Sequence, residues 1–174
     1  MGEPVPYYGH GIFLVHRSGL VDQLVIFDYY DPERHYWRVA KDHRALAREL
    51  ATLSTNMQGF LDEEEVVVNG ARVYPVVEYV DLGFRGREDL PYVLFHITFA
   101  VDLVPGLNVY EDRYGEEVAE YDYRVEWVLP PGSRFARVDV GADYVLRQGG
   151  RVLQFQVDRG TRVRGYERLE FVLG

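Results

Sequence analysis

Apolar and polar residues alternate with a period of two along most of the chain, the pattern of strands that bury one face. It is sharpest in two stretches. Between Tyr92 and Leu103, Val93, Phe95, Ile97, Phe99 and Val101 share a side, opposite Leu94, His96, Thr98, Ala100 and Asp102. Between about Glu117 and Leu129, Ala119, Tyr121, Tyr123, Val125, Trp127 and Leu129 share a side, opposite Val118, Glu120, Asp122, Arg124, Glu126 and Val128. The first set in each is the expected core face.

Turn residues divide the remainder into further strands. Ser18-Gly19 separates Ile12–Arg17 from Leu20–Tyr29 as an expected hairpin, and Asn69-Gly70 does the same for Val66–Val68 and Arg72–Leu82. Pro75 marks an edge or a bulge in the latter arm. Gly83–Leu90 and Arg34–Trp37 are expected loops, and Pro105-Gly106 introduces a loop or irregular edge over Asn108–Gly115. After Pro130-Pro131-Gly132 come four short strands, Phe135–Val140, Tyr144–Arg147, Val152–Val157 and Tyr166–Leu173, with Gly149-Gly150 turning the second into the third. A period near 3.6 occurs once. Leu46, Leu50, Leu53 and Met57 form a stripe behind Asp42, a good N-cap, and Gly59 reads as a stop, so one helix is expected over about 42 to 58.

About ten strands, each needing a partner face, with one helix, predict a mainly β fold: an antiparallel β-sandwich, with a flattened β-barrel as the alternative. The length and the absence of a composition break predict one β-rich domain over residues 1–174, with the N-terminal hairpin and helix packed on the sandwich. The segments YDYRVEWVLPPGSRFARVDV, GGRVLQFQVDRG and GYERLEFVL resemble archaeal immunoglobulin-like β-sandwich modules and uncharacterised conserved archaeal proteins. That resemblance covers the last third of the chain, implies the sandwich, and implies no activity.

Composition narrows the partners. A formal charge of -9 argues against binding nucleic acid or anionic membranes, and no apolar run approaches the roughly 20 residues of a membrane-spanning helix. No secretory signal opens the chain, so it is expected to be cytoplasmic as given; a secreted chain without its leader would read the same way. There are no cysteines, hence no disulfides or thiolate chemistry. Every basic residue except Lys41 is arginine, a usage that fits a GC-rich or thermophilic source.

Candidate chemistry is sparse. Ser18, Ser54 and Ser133 lie outside any nucleophile elbow, and His10, His16, His35, His43 and His96 have no zinc-site spacing. Seven acids lie between Tyr110 and Glu126. Of these, Glu111, Asp112, Glu116 and Glu117 flank a loop and are the candidate ligands for a cation such as calcium, against the competing expectation that they face solvent or pair with the arginines of the C-terminal third. No other cofactor is expected. Tyr29, Tyr30, Tyr36 and Trp37 are the candidate ligand-binding aromatics, suited to a sugar or a peptide. The expected function is a non-enzymatic binding or interaction module for a protein partner or glycan, with homo-oligomerisation through a sheet edge in the same class; the alternative is a metal-dependent hydrolase using the acidic 111–122 region.

Overall fold

The computed structural model describes residues 2–174, and their architecture is an open β-sandwich of mainly antiparallel sheets with two α-helices. No sheet closes on itself, so the barrel alternative is set aside. The first hairpin, β1 (Val5–Val15) and β2 (Leu20–Tyr30), lies at the centre of a seven-stranded sheet. β2 is followed by β6 (Pro91–Ala100) and then β5 (Val76–Phe84). On the other side β1 pairs in parallel with β9 (Asp122–Val128), and the sheet ends with β12 (Val152–Val157) and β11 (Tyr144–Arg147). The second sheet has five strands in the order β10 (Arg134–Asp139), β14 (Tyr166–Leu173), β7 (Gly106–Arg113), β3 (Glu65–Val68) and β4 (Ala71–Val73). Two-residue strands β8 (Glu117–Val118) and β13 (Arg162–Val163) pair separately.

Several sequence expectations are corrected. The helix expected to end near 58 is α2 (His43–Glu63): Gly59 does not stop it, because Leu61, 4 % exposed, continues the apolar stripe for another turn. Asp42 caps it as expected, accepting from the backbone N–H of Arg44 and Ala45 at 2.9 and 3.2 Å. The Arg34–Trp37 loop is instead the start of a second helix, α1 (His35–Ala40), whose first turn is held by Asp31 accepting from the Tyr36 N–H at 2.8 Å. Asn108–Gly115, expected as a loop or irregular edge, instead gives most of its residues to β7, an interior strand paired with both β14 and β3. The long strand expected over 117–129 is broken into β8 and β9, and Pro75 lies where the chain leaves β4 in one sheet for β5 in the other.

Two hydrophobic clusters share the inner face of the seven-stranded sheet. In one, Trp127, Leu129, Leu153 and Phe155 meet Tyr110, Leu169 and Phe171 of the second sheet, and Phe13 stacks on Trp127 with ring centroids 4.0 Å apart. In the other, Val93, Phe95 and Ile97 meet Leu50, Leu53, Met57 and Leu61 of α2. The second sheet and α2 therefore roof different parts of one sheet, and the seam between them is the feature on which the site depends.

Candidate functional site

The floor of the seam is made by residues that lack side chains. Gly9 and Gly11 are opposite Phe27 and Val25 on β2 and beside Tyr123 and Val125 on β9, so in this register all six residues present the same face of the sheet, inward. A Cβ placed on Gly9 would meet Tyr121 at 3.1 Å, Tyr123 at 3.3 Å and Phe27 at 3.6 Å; one placed on Gly11 would meet nothing within 4 Å. Glycine in a strand interior weakens the strand and marks a close approach by another group. Here it leaves a cleft of about 250 Å³ walled on this side by Phe13, Val25, Phe27, Tyr121, Tyr123 and Val125.

The opposite wall is acidic. Three strands of the second sheet run their inward stripe out to a carboxyl at the same end: Val68, Val66 and then Glu64; Tyr110 and then Asp112; Phe171, Leu169 and then Glu167. Asp112 and Glu167 are direct cross-strand partners, and Asp112 is also opposite Val66. Like charges directly opposite one another on a sheet face are destabilising, and burial adds to the cost of ionising them. Burial, helped by the charge of Asp112, pushes the Glu167 carboxyl up to about 7, while a hydrogen bond from Tyr114 and the Arg164 charge act the other way. Burial also holds Glu64 and Asp112 well above the ordinary carboxylate range, and Glu64 is raised further by Asp112, Glu167 and Glu117.

Hydrogen bonding leaves this wall partly unsatisfied. The Tyr114 hydroxyl donates to Glu167 Oε1 at 3.1 Å, and the Tyr110 hydroxyl reaches Asp112 Oδ2 at a long 3.5 Å. Asp112 is 8 % exposed and its Oδ1 has no partner. Buried acceptors without partners are uncommon and call for an explanation. The cleft opens through a second concavity of about 230 Å³ that shares Glu64, Tyr114 and Glu117 and adds Phe60, Glu63 and Glu116, so its mouth is acidic as well. No arginine or lysine lines either space among the described residues. Burial pushes the phenols of Tyr121 and Tyr123 up to about 12, so both tyrosines face the cleft neutral.

The acids singled out in the sequence have separate surroundings. Asp112 faces the cleft and Glu117 lines its mouth. Glu111 faces outward, where it lies 3.4 Å from Arg168 and accepts from the Tyr166 hydroxyl at 2.8 Å, and Glu116 pairs with Arg162 at 2.7 Å. The four therefore do not converge, and among the described residues no group of three or more His, Asp or Glu side chains is arranged to hold a metal ion. Arg168 also approaches Glu170, at 3.8 Å, on the wet side of β14 while Leu169 and Phe171 are buried on the other.

The sequence-predicted aromatics do not form one platform. Tyr36 is 7 % exposed, packs edge-on against Tyr29 at 5.8 Å and donates to Glu49 at 3.2 Å. Trp37 packs edge-on against Phe84 at 5.0 Å, with the Lys41 ammonium 4.8 Å over its ring, and Tyr30 is half exposed. Of the histidines, His10 bonds to Glu126, and His16 and His96 both bond to Asp22, whose carboxyl these two contacts hold below its usual range.

Glu64, Glu167, Gly9 and Gly11 are the site residues that sequence reasoning missed. A usable signal existed in each case: Glu64 and Glu167 lie two residues outside apolar stripes, on the buried parity, and Gly9 and Gly11 share strand parity with Phe13 and Val15.

Comparison with known proteins adds little to this picture. No family model matches the chain. Phosphopantetheine adenylyltransferase of Streptococcus suis (strain 05ZYH33) is 29% identical over 100 residues, 58% of this chain and 61% of that protein; the chain thus spans about three fifths of the relative's length. Among solved structures, the folded domain of Mycobacterium tuberculosis LppM aligns over 98% of this chain and 91% of its own at a TM-score of 0.49 and 10% identity. An aminopeptidase N family protein from Idiomarina loihiensis aligns over 93% of this chain and 29% of its own at 0.39 and 8% identity. At these levels none of the structural likenesses bears on function.

Proposed function

We propose that the protein is a non-enzymatic binding module that takes a small ligand into the seam between the second sheet and α2. The observation that carries this is the glycine floor: at Gly11 the inner face of a central strand opens onto space that an ordinary strand residue would fill. At about 250 Å³ the cleft is just under the ~300 Å³ low end of small-molecule sites, so its occupant is correspondingly small. The glycine floor, rather than size, favours this site over the hollow of about 450 Å³ beside the N-terminal aromatics, where Tyr36 is buried and Trp37 is engaged by Phe84 and Lys41. A glycan or the end of a partner chain would enter by the acidic mouth. The adenylyltransferase activity named for the Streptococcus protein would bring nucleotide phosphates to a site, and a cleft walled by carboxyls with no arginine or lysine opposes that.

A fluorescence titration tests the proposal. The neutral apolar probe N-phenyl-1-naphthylamine is expected to brighten with the wild-type protein. It should fail to do so with Gly11→Leu, whose side chain occupies the cleft without steric conflict at Cβ. Equal brightening in both proteins, with the variant folded, would refute the assignment. Release of a product from a p-nitrophenyl ester or glycoside, lost in Asp112→Asn, would move the protein to the hydrolase class.

A further inference from the structure

We propose that the ligand of this cleft is an organic amine, its ammonium held among Glu64, Asp112 and Glu167 and its apolar body lying against Phe27, Tyr121 and Tyr123. The inference rests on the cleft being a binding site and adds the chemical class of what binds. The two walls require different things of one molecule. Apart from His10 and Gln23, the sheet floor offers aromatic and aliphatic surface, and the roof opposite it carries carboxyl acceptors. Asp112 is the most specific of these: it lines the cleft, is 8 % exposed, and its buried Oδ1 has no partner. That oxygen awaits a donor, and the described protein supplies none.

Other ligand classes fit less well. An anion would meet three carboxyls and no arginine or lysine, and His10, the one basic side chain lining the cleft, is bonded to Glu126. A calcium ion takes six to eight oxygen ligands at 2.3–2.6 Å, whereas the carboxyls here form no metal-holding group among the described residues and the facing wall is mainly aromatic and aliphatic. A neutral apolar molecule would satisfy the floor and leave Asp112 Oδ1 unpaired. An ammonium supplies up to three donors and a charge. Ion-assisted hydrogen bonds to carboxylates are shorter and stronger than neutral ones, and aromatic faces nearby attract the same cation. The acidic mouth formed by Glu63, Glu116 and Glu117 would raise the local concentration of cations and steer them inward. The raised proton affinity of the roof has the same origin, since a proton is the smallest cation that relieves the crowding.

The test uses matched ligands on the full chain: 2-phenylethylamine, the neutral 2-phenylethanol and the anionic 3-phenylpropionate, titrated by calorimetry at pH 8. Binding of the amine at least tenfold tighter than the alcohol, with no binding of the carboxylate, is the expected result. Asp112→Asn and Glu167→Gln each remove a charge the fold opposes, so both are expected to fold, and each should shrink the amine-over-alcohol ratio toward one. Equal binding of alcohol and amine would overturn the amine assignment and leave the cleft reading standing. Failure of all three ligands, together with failure of the fluorescent probe, would overturn both. A melting-temperature rise with calcium chloride alone that disappears in Asp112→Asn would replace the amine with a metal.

Discussion

Replacing Glu167 by glutamine gives a sharp physical prediction, because it separates the cost of the carboxyl's charge from the value of its shape. In the folded protein its carboxyl is raised from about 4.5 to about 7, first by burial and then by Asp112, which faces it across the strand pair. The folded state therefore holds this proton more tightly than the unfolded chain does. The stability that this contributes is complete below about pH 4.5 and is lost as the pH rises through about 7. At ~1.4 kcal/mol per tenfold difference in proton affinity, the full loss is roughly 3 kcal/mol, and partial exposure of the side chain to water reduces it to roughly 1–3 kcal/mol. Glutamine keeps an oxygen to accept from Tyr114 and carries no charge to oppose Asp112 and Glu64 or to attract Arg164. At pH 8 the variant should be more stable than wild type by roughly 1–3 kcal/mol, or roughly 2–12 °C in melting temperature for a chain of this length. At pH 4 the two proteins should coincide. Urea denaturation at both pH values makes the comparison. A variant that is less stable at pH 8, or a Glu-to-Gln difference that is the same at both, would refute the claim that the fold opposes this charge.

Other outcomes follow from the same geometry. Wild-type stability should fall between about pH 5 and pH 8, because Glu64, Asp112 and Glu167 all hold protons more tightly when folded; a flat profile from thermal melts over that range would contradict it. Gly11→Leu should melt at or above the wild-type temperature, since an added Cβ meets nothing and a strand glycine is replaced, and a marked loss of stability would show that the floor is not open. Trp127→Ala removes a ring that is 2 % exposed and stacked on Phe13, and should cost roughly 3–5 kcal/mol in urea denaturation. Arg168→Ala breaks only part-exposed pairs with Glu111 and Glu170 and should cost at most about 1 kcal/mol; a cost as large as that of Trp127 would mean the outer ion pairs form a supporting network.

How far the molecule can be read from its sequence depends on whether a strand keeps one face apolar. Tyr144–Arg147, Val152–Val157 and Tyr166–Leu173 were legible to the residue because their alternation is clean or their turns are firm. β7 was hidden because its inward positions include Asn108 and Asp112. Asn108 is fully buried and satisfied: its side chain bonds both backbone groups of Val104 and accepts from Asn69, an arrangement that depends on three separate segments. The start of β1 was hidden because Gly9 and Gly11 interrupt its apolar alternation, and they are the floor of the cleft. The parallel pairing of β1 with β9 joins residues more than a hundred apart, and no local pattern encodes it. Asp112 was singled out, although for a cation site shared with Glu111, Glu116 and Glu117; strand parity turns Glu111 to the opposite face, and Glu116 pairs with Arg162. The residues that break the alternation are thus the ones that build the site, since a binding cleft requires polar groups and empty volume where a core would have neither.

The most direct test of the account is a crystal structure of the protein grown with 2-phenylethylamine. Density is expected for the aromatic ring over Gly11, against Phe27 and Tyr123 of the neighbouring register position, with the ammonium nitrogen about 2.7–2.9 Å from an Asp112 carboxyl oxygen, the usual range for a charged hydrogen bond. A cleft closed by its own side chains, or an amine bound anywhere else while the seam stays empty, would contradict it.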